Sequence, residues 1–172
     1  MRLAKFLAGL AAAALLHLAG VGLAPWFPLA ADLFLLVAIL EARHGRPAGG
    51  MFAGLAAGLV ADALSGGPFG FYGFADTAVG YGVARAAQQL VVQRTTSLTA
   101  IFAAGAAAQQ AILAALSLVF RPDGELPGFE WLLVKVATTA LLGLAWTRAV
   151  ELLFARFAAR RAGREKQLKI DA

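Results

Sequence analysis

The chain has 172 residues, 60% of them hydrophobic and only 15% charged, against roughly 25% charged in ordinary soluble domains, so it reads as an integral membrane protein of one domain. It contains no cysteine, which excludes disulfides, thiolate metal sites and thiol redox chemistry. The formal net charge is +5, but the basic residues lie beside apolar runs and in the tail, so membrane topology explains them and no nucleic acid is implied.

The N-terminus has the basic start of a signal peptide, yet its apolar run is longer than an ordinary h-region, so an uncleaved first span is expected over Leu3 to Leu23. His17 inside it is expected to be a hydrogen-bonded packing residue, because no second metal-binding residue accompanies it at helical spacing. Pro25-Trp26-Phe27-Pro28 reads as a turn with an aromatic at interface depth. The second span, Pro28 to about Glu41, is short for a crossing that needs about 20 residues, and Asp32 lies one turn in. A loop carrying Arg43 and Arg46 leads to the third span, Ala48 to Leu64. In that span Gly50, Gly54 and Gly58 form a side-chain-free stripe for close helix packing.

Ser65-Gly66-Gly67-Pro68 reads as a tight, uncharged membrane hairpin. Gly66 or Gly67 suits the left-handed end of one helix, and Pro68 suits the first turn of the next. The fourth span is expected from Phe69 to Val92, a basic junction at Gln93 to Ser97, and the fifth span from Leu98 to Phe120. Gln109 and Gln110 at its mid-depth are expected to hydrogen-bond to neighbouring helices. In the loop from Arg121 to Glu130 the carboxylates of Asp123, Glu125 and Glu130 outnumber Arg121, and its prolines and glycines exclude a helix, so it reads as extracytoplasmic. Trp131 to about Trp146 forms the sixth span, followed by a basic tail.

Placing the loop and tail cations on one face leaves only Arg121 and the intramembrane Lys135 elsewhere among 15 lysines and arginines. The positive-inside rule then sets both termini in the cytoplasm. The expected fold is all-α: a compact bundle of six transmembrane helices over residues 1–155, N-in and C-in, with a basic cytoplasmic tail at 156–172. From Arg148 the tail is expected to continue as an amphipathic helix, with Leu152, Leu153, Phe154 and Phe157 on one side. Arg156, Arg160, Arg161 and Arg164 would each gain about 1 kcal/mol from anionic lipid.

At Gly58-Leu59-Val60-Ala61-Asp62, then Gly66-Gly67-Pro68-Phe69-Gly70 and Gly80-Tyr81-Gly82, the chain resembles the MreD family, the membrane subunit of the bacterial rod-shape machinery. Asp32-Leu33-Phe34-Leu35-Leu36 early in the second span belongs to the same resemblance. The resemblance implies a non-enzymatic scaffold of the cytoplasmic membrane that binds MreC and, directly or through it, the MreB filament and the peptidoglycan synthases. A homo-oligomer is a further possible partner, and no cofactor is implied. The family fold also looks similar to the substrate-binding subunits of energy-coupling-factor vitamin transporters, which supplies the alternative function; fold similarity alone does not carry function across. Such a subunit needs a pocket of several hundred Å3, for which few pocket-forming polar residues are apparent. Its docking stripe would be mimicked weakly by Ala4, Ala8 and Ala12.

Catalysis finds no support: no GxSxG or HExxH pattern exists, and Gly66-Gly67-Pro68 follows a membrane helix rather than a strand. The structural and interaction candidates are Asp32, Asp62, Gly66, Gly67, Pro68, Gly70, Asp76 and Lys135. A charge inside a span costs roughly 2.5 to 3.5 kcal/mol at the bilayer centre, so each of these ionisable side chains needs water or a partner. Asp32 and Asp76 are placed near helix N-termini, which favour anions, whereas Asp62 near a C-terminus and Lys135 near an N-terminus oppose their own helix dipoles. Asp62 and Lys135 are therefore expected to pair, tying the third-fourth hairpin to the sixth span.

Overall fold

The computed structural model describes residues 2–44, 46–89, 95–120 and 128–170. Among them the regular elements are all helices: α1 (Arg2–Leu23), α2 (Phe27–Ala30), α3 (Leu33–Ala42), α4 (Pro47–Ser65), α5 (Phe71–Gln89), α6 (Thr95–Phe120) and α7 (Phe129–Ile170). Four segments, Leu3–Leu23, Pro47–Ser65, Ser97–Phe120 and Phe129–Ala149, are long and apolar enough to cross a membrane. The chain is a multi-pass, all-helical membrane protein. Of the acidic loop expected at 121–130, residues 121–127 lie outside the described residues, and Phe129 and Glu130 already belong to α7; of the basic junction expected at 93–97, residues 93–94 lie outside them and Thr95 to Ser97 form the first turn of α6. The side chains of the tail beyond Ala149 also lie outside the description.

Two of the expected spans differ from simple crossings. The second is broken: α2 ends at Ala30, Ala31 and Asp32 are extended, and α3 begins at Leu33. Backbone polar groups freed at such a break must find internal partners in lipid. Here Asp32 Oδ1 accepts from the Leu35 amide at 2.9 Å, and Thr138 of α7 donates its hydroxyl to the Ala30 carbonyl. The fourth span, α5, has 19 residues, but Asp76, Arg85 and its glycines dilute its hydropathy. The last span and the expected tail are a single helix, because α7 continues for 42 residues without interruption.

The short α3 is the centre of the bundle, packing against α1, α4, α5, α6 and α7. Phe34, Leu35, Leu36, Ala38, Ile39 and Ala42 are all buried on it, and Leu33, Val37, Leu40 and Glu41 are half-buried, so most of its circumference is apolar and faces other helices. It divides the core in two. Phe34 and Ala38 face Ala13 of α1 and Ala57 and Ala61 of α4. Leu35 and Ile39 face Val79 and Val83 of α5, Phe102 and Ala106 of α6, and Ala140 of α7.

The α4–α5 hairpin is the tightest contact in the molecule. The expected glycine stripe makes it: a methyl group on Gly50 would strike the Gly80 carbonyl, on Gly54 the Asp76 carbonyl, and on Gly58 the Tyr72 carbonyl. The descending partner numbers are those of antiparallel helices in backbone contact. Lipid tails are as apolar as leucine, so this close packing, and not hydrophobic burial, holds membrane helices together. Leu15, Leu16 and Leu18 of α1 are correspondingly exposed, as is the Ala4, Ala8, Ala12 face.

Candidate functional site

Two polar nodes lie at one end of the bundle, the end carrying the α4–α5 turn and the start of α7. The first is built by Asp62. α4 stops at Gly66, which adopts the left-handed conformation with φ of 66°, and the turn is completed at Gly70 with φ of 99°. Both positions suit glycine because a side chain there would be strained. This path carries the chain back over the last turn of α4. The Asp62 carboxylate then accepts from the backbone N–H groups of Gly70, Tyr72 and Gly73, each at 2.9 Å. Ser65 closes the other side, donating to the Asp62 carbonyl at 3.2 Å and accepting from Gly67 N at 3.4 Å. Pro68 contributes no N–H in this turn, so it leaves no donor to satisfy.

The expected pairing of Asp62 with Lys135 is corrected by this geometry. Asp62 does oppose the dipole of its own helix, but the hairpin places it on the N-terminus of α5, whose free amides and positive end satisfy it. Asp62 is 3% exposed and needs no cation.

The second node joins four helices. Gln109 of α6 is fully buried, and its side-chain amide donates to Asp32 Oδ2 at 2.9 Å and to Asp76 Oδ1 at 2.7 Å. Gln110 in turn donates to Gln109 Oε1 at 3.0 Å. Lys135 of α7 sits 3.6 Å from Asp32 Oδ2, the one salt bridge among the described residues. Its ammonium also donates to Tyr72 Oη at 3.3 Å and lies 5.3 Å from the centre of that ring, a cation–π distance. Tyr72, whose backbone is held by Asp62, thus links the two nodes. Asp76 lies in the second turn of α5 and is wholly buried; its Oδ2 has no partner among the described residues.

His17 packs in the interior as expected, but the hydrogen bond expected of it is not found at Nε2, which has no partner among the described residues. Its ring packs instead against Phe34 at 5.3 Å and Phe27 at 6.2 Å.

Between α5 and α6 on one side and α2 and α7 on the other lies a cavity of about 400 Å3. Lys135, Tyr72 and Gln110 line its polar part, with Leu113, Leu132 and Trp131 among its apolar walls. Sequence reasoning expected too few polar residues for such a pocket. The missing signal was positional: residues on α5, α6 and α7, far apart in the chain, converge on one space. Among the described residues no group of three His, Cys, Asp or Glu side chains is placed to hold a metal ion.

These features define a multi-pass helical membrane protein whose buried polar side chains bond helices to one another at one end of the bundle. The chain belongs to the MreD family: the model of the rod shape-determining protein MreD matches residues 4–121, more than two thirds of its length. Asp32, Asp62, Asp76 and Gln109 fall inside the matched region, and Lys135 lies beyond it. No curated protein matches the chain, and no solved structure does.

Proposed function

We propose that the chain is a non-enzymatic scaffold of the rod-shape and peptidoglycan elongation complex in the bacterial cytoplasmic membrane. In this reading it spans the bilayer six times with both termini in the cytoplasm, binds MreC, and reaches the MreB filament and the peptidoglycan synthases directly or through MreC. The observation that carries the reading is the family match over residues 4–121. It is supported by the use of the polar interior: Asp32, Asp62, Gln109 and Lys135 hydrogen-bond or pair within the bundle, as a rigid mount requires.

The cavity of about 400 Å3 favours one other reading, a substrate-binding subunit of an energy-coupling-factor-type vitamin transporter, since small-molecule sites begin at about 300 Å3. Purification in mild detergent from cells expressing the tagged chain separates the two. MreC in the eluate supports the scaffold; an energy-coupling ATPase module without MreC replaces it with the transporter.

A further inference from the structure

The second node does not balance its charge. The side-chain nitrogen of Gln109 donates to Asp32 and to Asp76, so two carboxyls lie against a single amide. The charges that act on Asp76 from the helices around it are Asp32 at the start of α3, Asp62 of α4 and Lys135 of α7, while α6 brings the neutral Gln109. Asp62 is already held by the amides of α5. That leaves two carboxyls to one lysine.

Asp32 takes the lysine. Its Oδ1 caps α3 through the Leu35 amide, and its Oδ2 accepts from Gln109 and lies 3.6 Å from Lys135 Nζ. The N-terminus of α3 favours the same negative charge. Asp76 receives one N–H, at Oδ1; its side chain is wholly buried and its Oδ2 has no partner among the described residues. A carboxyl buried with so little support neutralises rather than bear the cost of its charge, and two carboxyls that share a site do not both ionise.

The neutralising group is narrowed by what surrounds it. Hard metal cations need a shell of oxygen ligands, whereas the atom between these carboxyls is an N–H donor, the wrong polarity for a ligand. Among the described residues no three His, Cys, Asp or Glu side chains are placed to hold a metal ion. A proton needs one free oxygen, and Asp76 Oδ2 is one. We propose that the second node binds a proton on Asp76, which is a buried carboxylic acid at neutral pH beside an ionised Asp32 paired to Lys135. The proton is what lets one glutamine hold both side chains where α3, α5 and α6 meet. Gln110 lines the cavity and donates to Gln109, so hydrogen bonds connect the acid to that space. One and two turns further along α5, Val79 and Val83 pack into the apolar core. The site stands whether or not the chain binds MreC.

Infrared spectroscopy of the purified full chain, in an ester-free detergent at neutral pH, tests it. The expected spectrum contains the C=O band of a protonated carboxyl, which shifts when aspartate is isotope-labelled at its side-chain carboxyl and is lost in Asp76→Asn. That variant is the neutral isostere of the acid and keeps the acceptor for Gln109; should it not fold, the labelled wild type decides by the presence or absence of an aspartic acid band. No band would mean that Asp76 is ionised. A band indifferent to the aspartate label would belong to a glutamate. Survival of the band in Asp76→Asn would put the proton on another aspartate, and a band that appears only when sodium and potassium are withdrawn would assign the site to a metal cation. Each of these four outcomes overturns the proposal.

Discussion

The two sides of the bundle are joined by opposite means. Between α4 and α5 the backbones touch, glycine against carbonyl, and the closing charge of Asp62 is satisfied by main-chain amides within the same hairpin. Between that hairpin and α7 the contact is made by long side chains: Lys135 reaches to Asp32 and Tyr72, Gln109 spans Asp32 and Asp76, and a cavity remains beside them. A backbone seam tolerates no added atom. A side-chain seam can be loosened, exchanged or filled. The difference teaches that rigidity and adaptability can sit within one turn of each other, with Tyr72 on the boundary.

Five substitutions, one of them used in combination, would break or sharpen this contrast, each read as thermal stability in one detergent. Gly54→Leu should be the most damaging, by about 3 kcal/mol or more, since its side chain must displace the Asp76 carbonyl and overpacking against backbone has no cheap relief. A variant of near wild-type stability would mean that α4 and α5 are not in backbone contact. Asp62→Ala should cost about 2 to 4 kcal/mol, less than the sum of its charge-assisted bonds because water at the end of the bundle recovers some of the exposed amides. Wild-type stability there would remove Asp62 as the closure of the hairpin.

Lys135→Met should cost about 1 to 3 kcal/mol, below the 3 to 5 of a fully enclosed ion pair, since the 3.6 Å contact lies beside a cavity. Combining it with Asp32→Asn should recover part of the loss by shedding both desolvation penalties; strictly additive losses would show that the two residues act separately. Asp76→Asn should change stability by less than about 1 kcal/mol. It preserves the acceptor for Gln109 and replaces a carboxyl oxygen that has no partner among the described residues. A large loss would show that the carboxylate itself is required.

Local patterns were the legible part. The Gly50, Gly54, Gly58 stripe and the left-handed Gly66 end of α4 depend on neighbours a few residues away, and both appear as the pattern predicts, whereas Pro68, expected in the first turn of the next helix, lies in the turn before α5 begins at Phe71. The shortness of the second span was also a real signal. It reflects a break at Ala31 and Asp32 that the aspartate caps, an N-cap placed directly before an apolar run.

The partner of Asp62 was misread because the dipole argument considered only the helix that carries it. In a tight hairpin the C-terminus of one helix is also the N-terminal surroundings of the next, so the disfavoured end of α4 is the favoured end of α5. The partner of Lys135 was beyond reach, since which carboxylate it meets depends on how α3 and α7 pack, which no local periodicity encodes. The cavity was hidden for the same reason.

The two aspartates also differ in when they can be satisfied. Ribosomes add roughly 5 to 20 residues per second. Asp62 finds all three of its donors within 11 residues of itself, so its carboxylate enters the bilayer already hydrogen-bonded by its own hairpin. Asp32 meets Gln109 only 77 residues later, roughly 4 to 15 s of synthesis at those rates, and Lys135 later still. During that interval Asp32 has the Leu35 amide and little else. The Asp62 turn is thus satisfied by its own hairpin while Asp32, earlier in the chain, and Asp76 wait for Gln109, and a nascent chain arrested before α6 would expose carboxylates short of partners to whatever quality control surveys the membrane.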